Sequence, residues 1–575
     1  MKMPRPSRHP CGPQLADPRP PRFEDLLELD GERKRALETG HTRLLLGGGL
    51  FLVAFLAIAL RLLEVGVWDA GGERDIAALP TKDLGVQRAD VLDRNGVLLA
   101  TSLPTASLYA DPQQVSDPAG TAQKLVGVLP DLSQAEIAAK LGAQSRFVWI
   151  KRDLTPRQQY AVNRLGIPGL YFQREERRVY PQGALTAHVV GFTDIDNKGL
   201  AGIEESFDDV LKSGQPVQLS LDVRIQNILR DEIRRAIDDF SAIGGAGLVL
   251  DVDTGEVLAM VSLPDFDPRE AGTASPDQRF NRATLGIYEM GSTFKMFDVA
   301  AALDSGAIGI DDSVDASRPL RIGGFTISDY HPENRPLTVS EVIMYSSNIG
   351  AALIAERMGT ERQKRFLDSV GMLRRASIEL PETGLPMFPS EWRPINTMTI
   401  AYGHGIAVSP LHLAAGIAAL VNGGIMRPAT LIKRNADQVA DGDRVIKPET
   451  SVEIRKLMRL VVERGTGKKA DVPGYLVGGK TGTADKLGSR GYVADARMAS
   501  FVGAFPINAP RYVVLAMIDD PKPNAQSSGY ATGGWVAAPA VGRIVQRMAP
   551  LLGIEPQQQA PSDDNALLVA ARGTE

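Results

Sequence analysis

Three short patterns in this 575-residue chain combine residue types that could do chemistry together. Ser292-Thr293-Phe294-Lys295 sets a hydroxyl and an amine three positions apart. Ser346-Ser347-Asn348 follows, and Lys480-Thr481-Gly482-Thr483 comes last. Residues three apart on a helix share a face, so Lys295 can reach Ser292. A helix start adds free N–H groups and a dipole that favour developing negative charge. Phe294, Phe297, Val299 and Leu303 would bury this helix, and desolvation then disfavours the lysine ammonium. A neutral Lys295 can take the serine proton, which makes Ser292 a candidate nucleophile.

Each pattern alone has a plainer explanation. Ser292 could be a helix-start serine, Lys295 a solvated lysine, Ser346 to Asn348 a helix cap, and Lys480 a solubilising residue on an edge strand. A pair such as S-x-x-K arises by chance about once or twice in a chain this long. The weight rests on the three occurring together and in this order. Residues Gly474 to Thr481 also fit the P-loop spacing, and the run ending at Asp519-Asp520 imitates a Walker B strand. Tyr475, Leu476 and Val477 suit a strand better than a phosphate cradle, and too little chain remains for a parallel sheet. No G-x-S-x-G elbow is present. The single cysteine, Cys11, and six histidines without ligand spacing predict no metal and no cofactor. A net charge of −5 points away from nucleic acid.

The patterns need elements to position them. The run from Ser292 predicts a helix ending at Gly306. Thr338-Val339-Ser340-Glu341 reads as a capping box opening a short helix toward Tyr345, with a second from near Ile349 to Gly359. Ser346 and Asn348 fall at the break. Alternation puts Thr481 and Thr483 on one strand face and Lys480 and Gly482 on the other, with Gly482 admitting another backbone closely. Strand patterns lie on both sides of the helical stretch from about Ser292 to Val421. Before it, an amphipathic helix with Val223, Ile225, Ile228, Leu229 and Ile233 on one face precedes two strands joined at Asp253-Thr254-Gly255. The fold class is therefore α+β: one antiparallel sheet from both ends of the segment, with helices inserted. A mixed α/β pedestal precedes it, with a hairpin at Asn95-Gly96 and short helices near 132–141 and 156–165.

Leu44 to Leu60 is about 17 residues without a charge, at the short end of a membrane span. Arg33, Lys34, Arg35 and Arg43 precede it, against Arg61 and Arg74 after it, which puts the N-terminus in the cytoplasm. The expected organisation is a tail at 1–42, a single uncleaved transmembrane helix at 43–63, the pedestal at 64–215, the catalytic domain at 216–553 and a loose tail at 554–575.

From about Arg88 to Met548 the chain resembles a class B penicillin-binding protein, on the three patterns and on RADVLDRNGVLLA, RRVYPQGALTAHVVGFTDIDNKGLAGIEESFDDVL, FNRATLGIYEMGSTFK, AYGHGIAVSPLHLAAG, GGKTGTA and TGGWVAAP. VGFTDIDNKGLAGIEESFD is most similar to the division-specific branch, penicillin-binding protein 3. Met290 and His404 stand where relatives usually carry proline and tyrosine. The resemblance implies a penicilloyl-serine transpeptidase domain and a D,D-transpeptidase that cross-links peptidoglycan through an acyl-serine intermediate. Ser292 would be nucleophile, Lys295 general base, Ser346 the proton relay and Lys480 its support. Asn348, Thr481, Gly482 and Thr483 would bind substrate, with backbone N–H groups of Ser292 and Thr483 as the oxyanion hole. Implied partners are lipid-linked glycan strands of peptidoglycan, β-lactams, the membrane, and divisome proteins including a polytopic glycan polymerase. The implied location is the cell inner membrane, single-pass, with the catalytic domain periplasmic. An elongation-specific relative and a catalytically weak penicillin-binding sensor or scaffold remain open at this point.

Overall fold

The computed structural model describes residues 47–60, 87–439, 441–488 and 491–557. Residues 47–60 form an exposed helix within a unit of their own, separate from the unit that begins at Val86. Among the described residues no helix is long and apolar enough to cross a membrane. The flanks of the expected span, the whole N-terminal tail and residues 558–575 lie outside the described residues.

The pedestal is built on the long strand Leu98–Ala110, which pairs antiparallel with Val148–Leu154 and with Leu170–Val179. Helices Pro118–Val128, Gln134–Leu141 and Pro156–Asn163 cover one face of this sheet. Leu108, Leu125, Leu129, Ile137 and Leu154 form the core between them. The expected hairpin is present: Val91 pairs with Ala100, and Gly96 takes the turn at φ +85°.

The expected boundary at 215/216 is not a break in packing. Val91–Leu92 pairs parallel with Val217–Gln218, and Leu99, Tyr180, Val189 and Ile203 sit in the same core as the catalytic helices. Two of the sequence phrases meet at this junction in a buried ion cluster. Arg88 Nη2 lies 2.6 Å from Glu204, Arg178 Nε lies 2.7 Å from the other Glu204 oxygen, and Arg88 Nη1 lies 2.6 Å from Asp208. Removing one partner of such a cluster strands a buried charge, which is far more costly than losing a surface pair.

The catalytic domain has a five-stranded antiparallel sheet in the order Gly478–Gly488, Gly491–Phe505, Tyr512–Asp519, Gly244–Asp251, Val257–Leu263. The first three strands come from the end of the segment and the last two from its beginning, as expected. Alternate residues of Tyr512–Asp519 enter two cores, Val513, Leu515 and Met517 on one side and Val514, Ala516 and Ile518 on the other. This two-sided burial explains why the strand reads as a continuous apolar run. Helices Val223–Asp239 and Gly533–Met548 cover one face, joined by Arg543 and Arg547 to Glu232 at 2.6 and 2.9 Å. Helices Lys295–Asp304 and Pro410–Val421 lie under the other. At the C-terminus the chain stays docked beyond 553: Ile554 packs on the core and Gln557 N–H donates to Gly474 O at 2.8 Å. Residues 554–557 of the expected tail are thus packed against the domain.

One buried carboxyl has a consequence for stability. Asp298, one turn after Lys295, accepts from Gln363 Nε2 at 3.0 Å, while its other oxygen has no partner among the described residues. Burial pushes its carboxyl up to about 7. Folding thus favours the protonated form. Its contribution is full below the ordinary carboxylate pKa and is lost as pH rises from about 4 toward 7. Asp298→Asn removes this loss. The variant is expected to melt several degrees above the parent at pH 8 and close to it at pH 4.5, a gain on the order of 3 kcal/mol. Equal shifts in thermal unfolding at both pH values would refute this.

Candidate active site

Ser292 lies in a 3₁₀ turn, Gly291–Phe294, that leads directly into the α-helix Lys295–Asp304. The expected helix is thus α only from Lys295 onward. Thr293 Oγ1 donates to Met290 O at 2.9 Å and tightens this entry. Phe294 and Phe297 anchor the helix in the core, so Lys295 enters the protein with 0% exposure. Its Nζ lies 2.7 Å from Ser292 Oγ. The turn is wedged between two other segments. A Cβ on Gly291, which has φ +55°, would lie 2.6 Å from Thr483 O. A Cβ on Gly403, at φ +80°, would lie 2.2 Å from Gly291 O. Only glycine permits these approaches.

The capping box at Thr338 and Glu341 forms as expected and starts the helix Val339–Tyr345. Ser346 ends that helix in the left-handed region, φ 61° and ψ 40°, which is unusual for a residue with a side chain. The next helix, Asn348–Met358, is capped by Ser347, whose Oγ accepts from Gly350 N–H at 2.9 Å. The capping role thus belongs to Ser347, which leaves Ser346 and Asn348 on the cleft. Asp329 ties this corner down. It accepts from Ser347 Oγ at 2.6 Å and from the backbone N–H groups of Asn348 and Ile349 at 2.5 and 3.0 Å. Nothing in the sequence singled out Asp329, which lies in an irregular loop.

Lys295 Nζ donates to Asn348 Oδ1 at 2.7 Å and lies 3.3 Å from Ser346 Oγ. Lys480 Nζ donates to the same Ser346 Oγ at 2.9 Å. Ser346 therefore bridges two buried lysines. Burial first, then the charge of Lys480, holds Lys295 well below its ordinary value, with Asp329 opposing. Burial lowers Lys480 to about 7. Two ammonium groups this close in a dry site disfavour each other, so the neutral amine needed beside Ser292 is the favoured state of Lys295.

Lys480 sits on the edge strand of the sheet, as the solubilising alternative required, but it is fully buried because helix Pro448–Glu463 packs over that edge. Thr481 and Thr483 line the cleft on the other face, as alternation predicts. Thr481 Oγ1 lies 2.7 Å from Thr466 Oγ1, and Thr483 Oγ1 accepts from Gly533 N–H at 3.0 Å. Gly482 does not line the cleft. A Cβ there would lie 2.5 Å from Met290 O and 2.4 Å from Ser500 Oγ, so this glycine seats the nucleophile turn rather than substrate. Residues 478–488 form a strand with no helix behind it, so the P-loop pattern has no phosphate cradle. The cleft, about 700 Å³, has a rim that the three patterns did not reveal: Glu289, Tyr402, Lys469 and Trp535, alongside His404. Lys469 Nζ sits 4.0 Å from the Trp535 ring centroid.

A hydroxyl beside a neutral amine, bridged through a second hydroxyl to a second lysine, is a device for acyl transfer through an ester. The chain matches the penicillin binding protein transpeptidase domain over residues 245–546 and the penicillin-binding protein dimerisation domain over residues 83–230. It is 41% identical to the probable peptidoglycan D,D-transpeptidase FtsI of Caulobacter vibrioides, over 93% of this chain and 92% of that protein. It is 30% identical to peptidoglycan D,D-transpeptidase FtsI of Escherichia coli, over 92% of this chain and 94% of the other. Its fold is similar to penicillin binding protein 3 of Mycobacterium tuberculosis complexed with ampicillin, with a TM-score of 0.67 and 26% identity, covering 83% of this chain and 98% of that one. With both domains matched in order and the Ser292–Lys295–Ser346–Lys480 cluster assembled within the second, this chain belongs to the class B penicillin-binding proteins.

Proposed function

We propose that this chain is a division-type peptidoglycan D,D-transpeptidase in which Ser292 forms the acyl-enzyme. The observation that carries the reading is the 2.7 Å approach of a fully buried Lys295 amine to Ser292 Oγ. Lys295 accepts the Ser292 proton as Oγ attacks the carbonyl carbon of the penultimate D-Ala. Ser346, bridged to both lysines, passes a proton to the nitrogen of the leaving D-Ala. Lys480 adds positive potential and holds the Ser346 hydroxyl. Thr481 and Thr483 receive the terminal carboxylate, and Asn348 receives the donor peptide's amide. The N–H groups of Ser292 and Thr483 face the developing oxyanion, a contribution of about 3 kcal/mol per donor in comparable sites. β-Lactams acylate the same oxygen. Peptidoglycan stem peptides on lipid-linked glycan strands are the substrate, as the names of the Caulobacter vibrioides and Escherichia coli relatives support. Incubation of the purified protein with penicillin, followed by mass spectrometry, tests the acyl-serine; one adduct is expected.

The membrane arrangement belongs to the same proposal. Residues 43–63 anchor the chain in the inner membrane, the N-terminus stays cytoplasmic and the catalytic domain is periplasmic. Divisome proteins, including a polytopic glycan polymerase, are its partners in this reading. The support is the charge-free run from Leu44 to Leu60 with basic residues concentrated before it. A fragment beginning near Glu73 is expected to remain soluble and to react fully with penicillin, while the whole chain sediments with membranes. A fragment that still partitions with membranes would count against the anchor, as would a mature N-terminus after Ala59.

A further inference from the structure

We propose that His404 is the base that takes a proton from the incoming acceptor ammonium, before the amine attacks the acyl group on Ser292. The proposal rests on the transpeptidase reading above and concerns its second half. That half needs an amine with a free lone pair. An alkyl side-chain amine has a pKa near 10.4, so at pH 7 only about one molecule in 10³ is neutral. Lys295 is engaged by the second proton, the one that must reach Ser292 Oγ as the ester breaks. A separate base at the cleft wall therefore has work to do.

The geometry at His404 supplies one. Gly403, its neighbour, touches the backbone of Gly291, so His404 is mounted on the segment that backs the nucleophile turn. It lines the same cleft as Ser292, and its side chain is 48% exposed. Its Nδ1 lies 3.3 Å from Glu289 Oε2 and 3.1 Å from Tyr492 Oη. Its Nε2 has no partner among the described residues. The ring is stacked between Tyr402, at 6.3 Å and 17°, and Tyr492, at 5.4 Å and 20°. Glu289 is itself buried and fixed, accepting from Gly405 N–H at 2.8 Å and Tyr492 O–H at 2.9 Å. A carboxylate behind one imidazole nitrogen selects the tautomer with Nδ1–H toward it and leaves the Nε2 lone pair toward the cleft. The charged and titratable groups around the ring are Glu289, Asp485, Tyr402 and Tyr492. Arg497 lies 3.9 Å from Asp485, and Lys295 Nζ lies 5.9 Å from the Tyr402 ring centroid. The bond to Glu289 raises the imidazole above its ordinary value, which strengthens it as a base near neutral pH.

The protons balance. The acceptor ammonium gives one proton to His404 Nε2. Its nitrogen then bonds to the ester carbonyl carbon, and the carbon–oxygen bond to Ser292 Oγ breaks. The second nitrogen proton passes through Lys295 to Ser292 Oγ, and the His404 imidazolium releases its proton to water. Amide, free serine and one solvent proton result.

The test is His404→Gln in the soluble fragment, supplied with a thioester donor and two acceptors at pH 7. One is an Nα-acetylated diamino acid, present as ammonium; the other is aminoacetonitrile, which is mostly neutral. Transfer to the ammonium acceptor, measured relative to penicillin acylation of the same protein, is expected to fall roughly 10²-fold. Transfer to aminoacetonitrile should change little, and added imidazole should restore part of the lost transfer. Equal losses with both acceptors would make His404 a mere wall of the cleft and overturn the proposal, as would no loss with either. Absence of any acyl-enzyme in the unsubstituted protein would instead overturn the transpeptidase reading itself.

Discussion

Ser292→Ala is expected to take no covalent penicillin, where the parent protein takes one molecule per chain. The substitution removes one oxygen atom and little else. Lys295 keeps its bond to Asn348 Oδ1 and its place beside Ser346. The turn that carries residue 292 is set by Gly291, Thr293 and Phe294, none of which depends on the hydroxyl. Melting temperature should therefore move by no more than about a degree, a change within the range of neutral substitutions. Acylation of the hydroxyl held 2.7 Å from the neutral Lys295 amine should vanish, not merely slow. Intact-mass measurement after long incubation reads this directly. An adduct that persists would place the nucleophile elsewhere, and Ser346 would be the first position to examine.

Lys295→Ala has the second largest expected effect, a fall in penicillin acylation of roughly 10³-fold, within the range for loss of a positioned base. It also leaves Asn348 Oδ1 without its amine donor, which costs about 1–3 kcal/mol of stability. The pH dependence distinguishes the two effects. In the parent, acylation falls as acid protonates Lys295, and because burial and Lys480 hold that amine well below its usual range, the enzyme keeps its rate down to correspondingly lower pH. The variant should lack this limb. Lys480→Ala should lose less, because Lys480 touches Ser346 and not Ser292. If Lys480→Ala lost the acid limb while Lys295→Ala kept it, the two lysines would have exchanged roles.

The reacting groups were legible because their geometry is local. Ser292 and Lys295 are three residues apart, and the Thr481–Thr483 face follows from strand alternation. The sheet assembled from both ends of the segment was legible too, since its strands carry apolar runs and the helices between them carry caps such as Thr338–Glu341. Other features depend on contacts between distant segments, which no short pattern encodes. Asp329 reaches Asn348 from a loop without periodicity, and the left-handed Ser346 is held by its neighbours rather than by its own preference. Gly482 reads as a glycine that admits another backbone closely, but alternation cannot name that backbone, Met290 O, nearly two hundred residues earlier. The packing of the pedestal against the catalytic core is hidden for the same reason. Arg88, Arg178 and Glu204 each look like an ordinary surface charge until the fold brings them together.

The backbone contacts of Gly403 with Gly291 and of Gly482 with Met290 also bear on how such an enzyme escapes its inhibitors. A side chain added at Gly403 pushes on the main chain of Gly291, and one at Gly482 meets the main chain of Met290 as well as Ser500 Oγ. The floor beneath the nucleophile is thus nearly closed to selection, because a change that repels a drug there also displaces Ser292. Heritable insensitivity is therefore expected at the rim, at positions such as Asp485 and Tyr530, whose side chains are exposed on the cleft. Each rim change weakens the fit of drug and stem peptide by similar small amounts. Resistance by alteration of this target is therefore expected to accumulate over several rim changes, not to arrive in one.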